Sequence, residues 1–205
     1  EGGWFPLVLA AVVAFLMLTW RAGVRLVESA RGKLRQPEEE LIETAVNRCK
    51  SRLPGTAVFL ASAPNGVPLA LTQFVKHNQV LHERVLLATI QIEESPRIDD
   101  EKRADVHEIS PGITRVLLHY GFMQYPTVYE GLKLACQQGK LPGIDLNQVT
   151  YYIGRETIIP REDIPGMWVW RETFFAFMQR NAERTAAFFG VPTGQVVEFG
   201  TEIEI

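Results

Sequence analysis

The chain has 205 residues, enough for one substantial soluble domain with appendages. Hydrophobic residues make up 46% of the composition, which argues against disorder, and the formal net charge of −3 is too weak to indicate a nucleic acid partner. Cys49 and Cys136 are far apart and have no C-x-x-C spacing, which favours reduced thiols over a single disulfide. The sequence begins at Glu1 rather than at methionine, so we expect a fragment of a longer protein.

An uncharged segment opens the chain, from Trp4 to Trp20. Spanning helices need about 17 to 25 apolar residues, and tryptophans at both ends are typical of headgroup-level anchors. A signal peptide would carry its positive charge before the apolar run, whereas here the charge follows it. A buried core helix would keep polar positions, and this segment has only Thr19. The segment therefore predicts a transmembrane helix over residues 1–20.

A basic collar follows this segment. Between Arg21 and Arg35 five basic residues stand against one acidic residue, a local net charge of +4, which leaves −6 for residues 36–205. Positive charge on the C-terminal flank of a span predicts that everything from residue 21 onward is cytoplasmic. We expect residues 21–52 to form a juxtamembrane connector and helix, and residues 53–205 to form a cytoplasmic domain. The apolar positions of the connector would lie at the membrane surface or on a solvated helix.

Hydrophobic periodicity and turn residues predict the elements of this domain. In chain order they are a helix from Gln36 to Arg52, a break at Leu53–Thr56, a strand at Ala57–Ala61, a helix at Pro68–Lys76, a strand at Val85–Ile92, an exposed loop or hairpin approach at Arg97–Asp105, an antiparallel pair at Val106–Ile109 and Ile113–Phe122, a helix at Thr127–Gln138 and a strand at Val149–Ile153.

A long helix from Pro165 to Phe189 and a final strand complete the chain. One face of this helix carries an aromatic stripe that we interpret as core packing, namely Met167, Trp170, Phe174, Phe177 and Met178. The final strand alternates, with Val197 and Phe199 on the predicted buried face. The whole order predicts an α/β fold, a mixed sheet flanked by helices and preceded by one transmembrane helix.

The sequence contains no G-x-G-x-x-G, Walker, H-E-x-x-H or G-x-S-x-G motif. His77 and His82 are five apart, which does not suit a metal pair on one helix face. We therefore predict no enzyme, no catalytic or metal-binding residue and no cofactor. A polar stretch ahead of the strand at Val85 could bind a nucleotide through Asn78, His82 and Arg84, or it could be a structural turn.

Eight stretches, in order along the chain, resemble the Kup-type (KUP/HAK/KT) potassium uptake transporters. They are Gly2–Leu7, Pro54–Ser62, Gly66–Leu71, Lys76–Val85, Arg115–Met123, Tyr151–Pro160, Trp170–Ala182 and Phe188–Pro192. The resemblance implies a bacterial inner-membrane K+/H+ symporter whose K+ site lies in helices outside this chain. This chain would supply the last transmembrane helix, in contact with membrane lipid, and a cytoplasmic domain for regulation or assembly as a homodimer. A nucleotide-sensing module attached to a membrane protein is the alternative.

Overall fold

A computed structural model describes residues 3–34, 49, 51–61, 63–64, 66–159, 167–181 and 190–204. The helices are α1 (Trp4–Leu34), α2 (Leu69–Asn78), α3 (Val128–Gln137) and α4 (Val169–Arg180). The strands are β1 (Ser51–Ala61), β2 (Val80–Glu93), β3 (Ala104–Ser110), β4 (Ile113–Gly121), β5 (Thr150–Ile159) and β6 (Val196–Glu204). The chain divides into a helical unit of residues 1–35, 156–182 and 201–205 and a sheet unit of residues 36–155 and 183–200.

One mixed sheet, with strand order β3-β4-β2-β1-β5-β6, organises the sheet unit. β1 pairs in parallel with β2 and with β5, and β2 pairs in parallel with β4. β3 runs antiparallel along β4, as predicted for the pair joined across Ser110–Gly112. The predicted α/β class with a mixed sheet is confirmed.

Helices cover both faces of this sheet. In β1, Ala57 and Phe59 pack in the cluster that contains Leu71 and Phe74 of α2. Their neighbours Val58 and Leu60 pack in the cluster that contains Leu132 of α3. Alternate side chains of a strand point to opposite faces of the sheet. Because a helix covers each face, both sets are buried, and the sequence of the strand is an unbroken apolar run.

Two predicted boundaries are wrong in the sheet unit. The break at Leu53–Thr56 lies inside β1, where the pairing with β2 shifts register between Leu53 and Thr56 and Gly55 has a φ of 99°. A bulge absorbs the turn residues without ending the strand. β1 also begins at Ser51, so the predicted helix cannot extend to Arg52. The rest of that helix, from residue 36 to 48, lies outside the described residues.

The final strand uses both of its faces. Val196 packs against the α3 cluster and Phe199 against the α2 cluster, while Val197 is 40% exposed. The predicted single buried face is therefore wrong at Val197. β6 is an edge strand of the sheet, and the side chains that pack on an edge strand can differ along its length.

In the helical unit, α1 is one continuous helix of 31 residues. Residues Trp4–Ala30 are long and apolar enough to cross a membrane, and only 11% of their most apolar 18-residue window is buried. Such exposure does not fit a core helix, so the N-terminal helix is a candidate membrane span. The collar residues continue the same helix, with Arg21 and Arg25 exposed.

α4 packs against the C-terminal half of α1. Phe175 is 1% exposed and lies in a cluster with Val27 and Val24, so these valines contact protein. A Cβ at Gly23 would overlap the Phe175 ring, which means that glycine permits this close approach. Thr19 accepts a hydrogen bond from Arg171 Nε at 3.0 Å.

The aromatic stripe of α4 does not form the core of this contact. The buried residues of α4 are Glu172, Phe175 and Ala176, whereas Trp170 and Phe177 are 54% and 56% exposed. The interpretation as core packing is therefore wrong for these two side chains. α4 docks mainly through the face that carries Phe175, and Trp170 stays more than half exposed even where it stacks on Phe15 of α1. The continuation predicted between residues 182 and 189 lies outside the described residues.

Candidate functional site

The structure gives each residue of the polar stretch before Val85 a separate local role. Asn78 ends α2, where its Nδ2 donates to the Phe74 carbonyl at 3.1 Å. His82 and Arg84 lie within β2, not in a loop. Arg84 Nη1 donates to the carbonyl oxygens of Pro142 and Gly143, both at 2.8 Å. Ligand binding by Asn78, His82 and Arg84 stays a prediction.

His82 is surrounded by aromatic rings. It is 8% exposed, and its ring centroid lies 5.6 Å from that of Phe74 and 5.8 Å from that of Tyr152. Its Nδ1 has no hydrogen-bond partner among the residues that the structure describes. Burial lowers the pKa of His82 below its ordinary value of 6.5, since a charged imidazole loses its hydration there. The side chain is therefore neutral at physiological pH.

We expect this histidine to make stability depend on pH. Because the folded pKa is depressed, its contribution is complete above pH 6.5 and is lost as the pH falls from there toward the folded pKa. The free energy of unfolding should change by at most about 1.4 kcal/mol per pH unit for one such group. Thermal unfolding between about pH 7 and pH 5 measures this slope.

His82→Phe keeps a ring in the aromatic cluster and removes the titration, so it should flatten the slope. His77→Asn is the matched control at an exposed histidine of α2, and it should leave the slope as it is. Equal slopes for the chain and for H82F would assign the pH dependence to other groups.

A polar cleft of about 260 Å³ lies beside α3. Its lining combines charged and amide side chains with an aromatic ring, namely Asp100, Arg103, Tyr120, Glu130, Lys133 and Gln137, together with Gly131 and Leu134. The two strands that frame it meet where β3 begins and β4 ends. The cleft is thus built from one helix, one sheet edge and the turn before β3.

Arg103 is the centre of this region and is only 7% exposed. Its Nη1 donates to the His119 carbonyl at 3.1 Å and to Gln124 Oε1 at 2.9 Å. Its Nη2 donates to the Ile98 carbonyl at 2.9 Å and to Asp100 Oδ1 at 3.1 Å. The guanidinium also lies 4.6 Å from the centre of the Tyr120 ring, a cation–π distance.

Gln124 completes what we call the Arg103 junction, formed by Arg103, Gln124, Ile98 and Gly121. The Gln124 side chain accepts from the backbone N–H groups of Ile98 at 3.0 Å and Gly121 at 2.8 Å. It also donates to the Ile98 carbonyl at 3.2 Å. Two loops are therefore held by side-chain hydrogen bonds where strand pairing has ended. Both Nη atoms of Arg103 already donate to protein groups. We therefore interpret Arg103 as a residue that holds the loops together, and not as a free cation for a ligand.

The remaining polar groups of the cleft do not assemble into a catalytic constellation. Lys133 and Glu130 form an exposed ion pair at 3.6 Å on α3. Tyr120 donates to the Thr127 carbonyl at 2.6 Å, and burial raises the pKa of its hydroxyl, so it stays protonated. Within the described ranges no group of three His, Cys, Asp or Glu side chains could hold a metal ion.

His119 joins three strands of the sheet. Its Nδ1 lies 2.7 Å from Glu93 Oε1 on β2, and its Nε2 lies 3.3 Å from Asp105 Oδ2 on β3. The histidine itself belongs to β4, so this bridge ties an antiparallel edge strand to the parallel core.

Cys49 and Cys136, the two predicted thiols, are free, and burial raises the pKa of both.

Sequence reasoning missed Arg103. Of the two alternatives predicted for Arg97–Asp105, the exposed loop is wrong at this position. The hairpin approach fits Ala104, which is fully buried and begins β3. The stretch is dense in charges, and such stretches are usually solvated. Its position in the sequence could have indicated burial, since Arg103 immediately precedes β3, whose pairing with the next strand was already predicted.

The structure thus defines a class of protein, namely an α/β domain attached to a candidate membrane helix. The chain matches the family model of the K+ potassium transporter C-terminal domain over residues 54–205, so it belongs to that family. It is 80% identical over all its 205 residues to the probable potassium transport system protein Kup 3 of Bradyrhizobium diazoefficiens.

Two further relatives are probable potassium transport system Kup proteins, from Erythrobacter litoralis at 44% identity and from Nitrosomonas eutropha at 40%, again over 100% of this chain. The chain spans 33%, 32% and 32% of these three relatives. No solved structure matches the chain significantly.

Proposed function

We propose that this chain is the C-terminal third of a bacterial potassium ion transporter, and that it contributes the last transmembrane helix and a regulatory or assembly domain. The observation that carries the proposal is α1, an exposed apolar helix in the same chain as a domain of this family. Ion-binding residues would then lie in the part of the transporter that precedes this chain. We further propose K+/H+ symport and homodimer formation as properties of the whole transporter.

The orientation follows from the collar. Arg21 and Arg25 are exposed one helical turn apart, directly after the apolar part of α1. Because positively charged flanks stay in the cytoplasm, the sheet unit belongs on the cytoplasmic side of the inner membrane. The relatives are transport proteins, and no catalytic constellation stands out among the described side chains, so we propose a binding or assembly role instead of catalysis.

Removing the sheet unit tests this role. A transporter that ends at Arg35 keeps α1 and loses the domain, and we expect K+ uptake to fall at least severalfold because regulation or assembly is lost. Rubidium uptake in cells that lack their own K+ importers measures the rate, and immunoblotting measures the abundance of the protein. A full-length transporter with Lys102→Ala, an exposed side chain of the same unit, is the matched control.

The two parts of the result answer different questions. Loss of abundance with a normal rate per copy indicates assembly, and loss of rate at normal abundance indicates regulation. If uptake, its dependence on external K+ and abundance were all unchanged, the proposed role of the domain would be wrong.

A further inference from the structure

Three aromatic side chains at the start of α4 and along it are more than half exposed. Trp168 is 75% exposed, Trp170 54% and Phe177 56%. We call Trp168, Trp170 and Phe177 the exposed stripe, which differs from the predicted aromatic stripe because Met167, Phe174 and Met178 are half-buried. Large aromatic side chains in such number are unusual on a surface that meets only water, because each leaves much apolar area exposed.

The stripe begins beside the apolar part of α1. Trp170 stacks on Phe15 of α1 with a centroid distance of 5.9 Å, and Phe174 stacks on the same ring at 6.5 Å. One turn further along, Arg171 binds Thr19, and Phe175 contacts Trp20 at 5.5 Å between ring centroids. The first turns of α4 therefore lie beside residues 15–20 of α1, which are the last residues of its uncharged segment.

This placement fixes the depth of Trp170. An α-helix rises 1.5 Å per residue, so Phe15 lies about 7.5 Å along the axis from Trp20, on the side of Trp4. If Trp20 marks the headgroup level, Trp170 lies in the layer where interfacial helices insert, about 5–10 Å deep. The neighbouring cations Arg171, Arg21 and Arg25 are suited to the phosphate groups of that layer.

Lipid fits the stripe better than a second copy of this chain does. The exposed surface of α1 is apolar from Trp4 to Trp20, with Leu7 72%, Met17 68% and Leu18 57% exposed, and Phe15 links that surface to Trp170. A continuous apolar surface that ends in tryptophans and arginines has the composition of a membrane–water boundary. Tryptophan suits this boundary because its ring is apolar and its N–H can bond to headgroups or water.

We infer that the start of α4, through Trp168 and Trp170, inserts into the interfacial layer of the membrane beside the end of α1. The family domain would then touch lipid through one of its own helices and not only through the preceding span. This inference rests on the proposed function, since it requires α1 to enter the bilayer. It names phospholipid headgroups and the adjoining acyl segments as the partner.

Tryptophan quenching by brominated phosphatidylcholine tests the inference in the 205-residue chain. The four tryptophans of the chain are Trp4, Trp20, Trp168 and Trp170, and all are in the helical unit. A variant with Trp4→Phe and Trp20→Phe reports only on α4. The matched variant, with Trp168→Phe and Trp170→Phe, reports only on α1. Each is reconstituted in vesicles brominated either near the carbonyl end or near the middle of the acyl chains.

We expect the α4 reporter to lose roughly half of its fluorescence with lipid brominated near the carbonyl end, and less with the deeper bromine, because interfacial rings sit at headgroup level. Quenching of the α1 reporter together with an unquenched α4 reporter would overturn the inference and leave the span intact. If neither reporter were quenched, the membrane span of the proposed function would be wrong as well. Emission of the α4 reporter that changes with protein concentration and not with bromine would assign the stripe to a second copy.

A label at Thr173, an exposed residue of α4 on the same side as Trp170, gives an independent reading. In a variant with Cys49→Ser and Cys136→Ser, Thr173→Cys carries an environment-sensitive dye. A second variant with Glu108→Cys places the same dye on β3 of the sheet unit, at an exposed position. The dye on α4 should report an apolar environment that depends on vesicles, and the dye on β3 should not. An equal response at both positions would count against specific insertion of α4.

Discussion

Arg103→Ala should destabilise the sheet unit by about 3–5 kcal/mol, among the largest effects of any single polar substitution in this domain. The substitution removes donors to the carbonyl oxygens of His119 and Ile98, to Gln124 and to Asp100. It leaves carbonyl oxygens without a partner in a region where water reaches poorly. The loop before β3, which contains Ile98, and the loop after β4, which contains Gln124, would lose the group that holds them together.

Amide hydrogen exchange measures this effect in the intact chain, because the sheet unit contains no tryptophan to follow by fluorescence. A loss of about 3 kcal/mol corresponds to exchange that is about a hundredfold faster, since each 1.4 kcal/mol is a factor of ten. The amides of Gly121 and Ile98, both bound by Gln124, should show it first.

Two further variants separate the causes. Arg103→Lys keeps the charge but lacks the planar fork that reaches several acceptors at once, so its effect should be intermediate. Lys102→Ala removes an exposed charge next to Arg103 and should change stability by less than about 0.5 kcal/mol. If R103A behaved like K102A, the Arg103 junction would not contribute to stability.

Gly121→Ala should destabilise the same unit by about 2–4 kcal/mol, because a side chain at this position has no room. A Cβ there would overlap the Pro96 carbonyl oxygen and would lie 2.5 Å from the backbone nitrogen of Arg97. Both are backbone atoms, which cannot swing aside as the end of a side chain can. The loop at residues 95–97 would have to move, and with it the bond from Phe122 N to the Ser95 carbonyl at 3.1 Å.

Gly200→Ala is the matched control in β6. Among the residues that the structure describes, no atom lies within 4 Å of a Cβ built at Gly200, so alanine should be neutral or slightly stabilising in this strand. Differential scanning calorimetry of both variants compares their unfolding temperatures. Since Gly121 and Arg103 hold the same loop, the double variant should lose less than the sum of the single losses. If G121A unfolded at the same temperature as the unchanged chain, the close contact between Gly121 and the loop at residues 95–97 would be wrong.

Local pattern was sufficient to predict most elements of the sheet unit. The strand at Val85–Ile92 appears as β2, longer at both ends, and the helix at Pro68–Lys76 appears as α2, which begins one residue later and ends two residues later. A strand buried on both faces is an unbroken apolar run, and a helix beside a sheet repeats its apolar residues every three or four positions. Both patterns can be recognised without knowing which other element the strand or helix packs against. The extension of β2 to Val80 was missed because its first residues include His82, Glu83 and Arg84.

Polar residues were harder to place, and the reason is physical. The nature of a charged side chain indicates hydration, but its burial depends on acceptors that arrive from elsewhere in the chain. Arg103 is buried by groups up to 21 positions away, and Arg84 donates to Pro142 and Gly143, which are 58 and 59 positions away. Asn78, His82 and Arg84, close together in sequence, are thereby assigned to a helix end, an aromatic cluster and a distant turn.

The candidate membrane helix, the α/β class and the family can all be read along the chain, because each depends on the order and spacing of residue types. The orientation of α4 cannot be read in this way. Its periodicity shows one aromatic face, yet it says nothing about which side meets α1. Gly23 and Phe175 settle the matter, since a residue without a Cβ lets a buried ring approach one face and leaves Trp170 and Phe177 more than half exposed. Contacts between distant residues, and not local composition, decide that these two members of the predicted core stripe stay largely exposed.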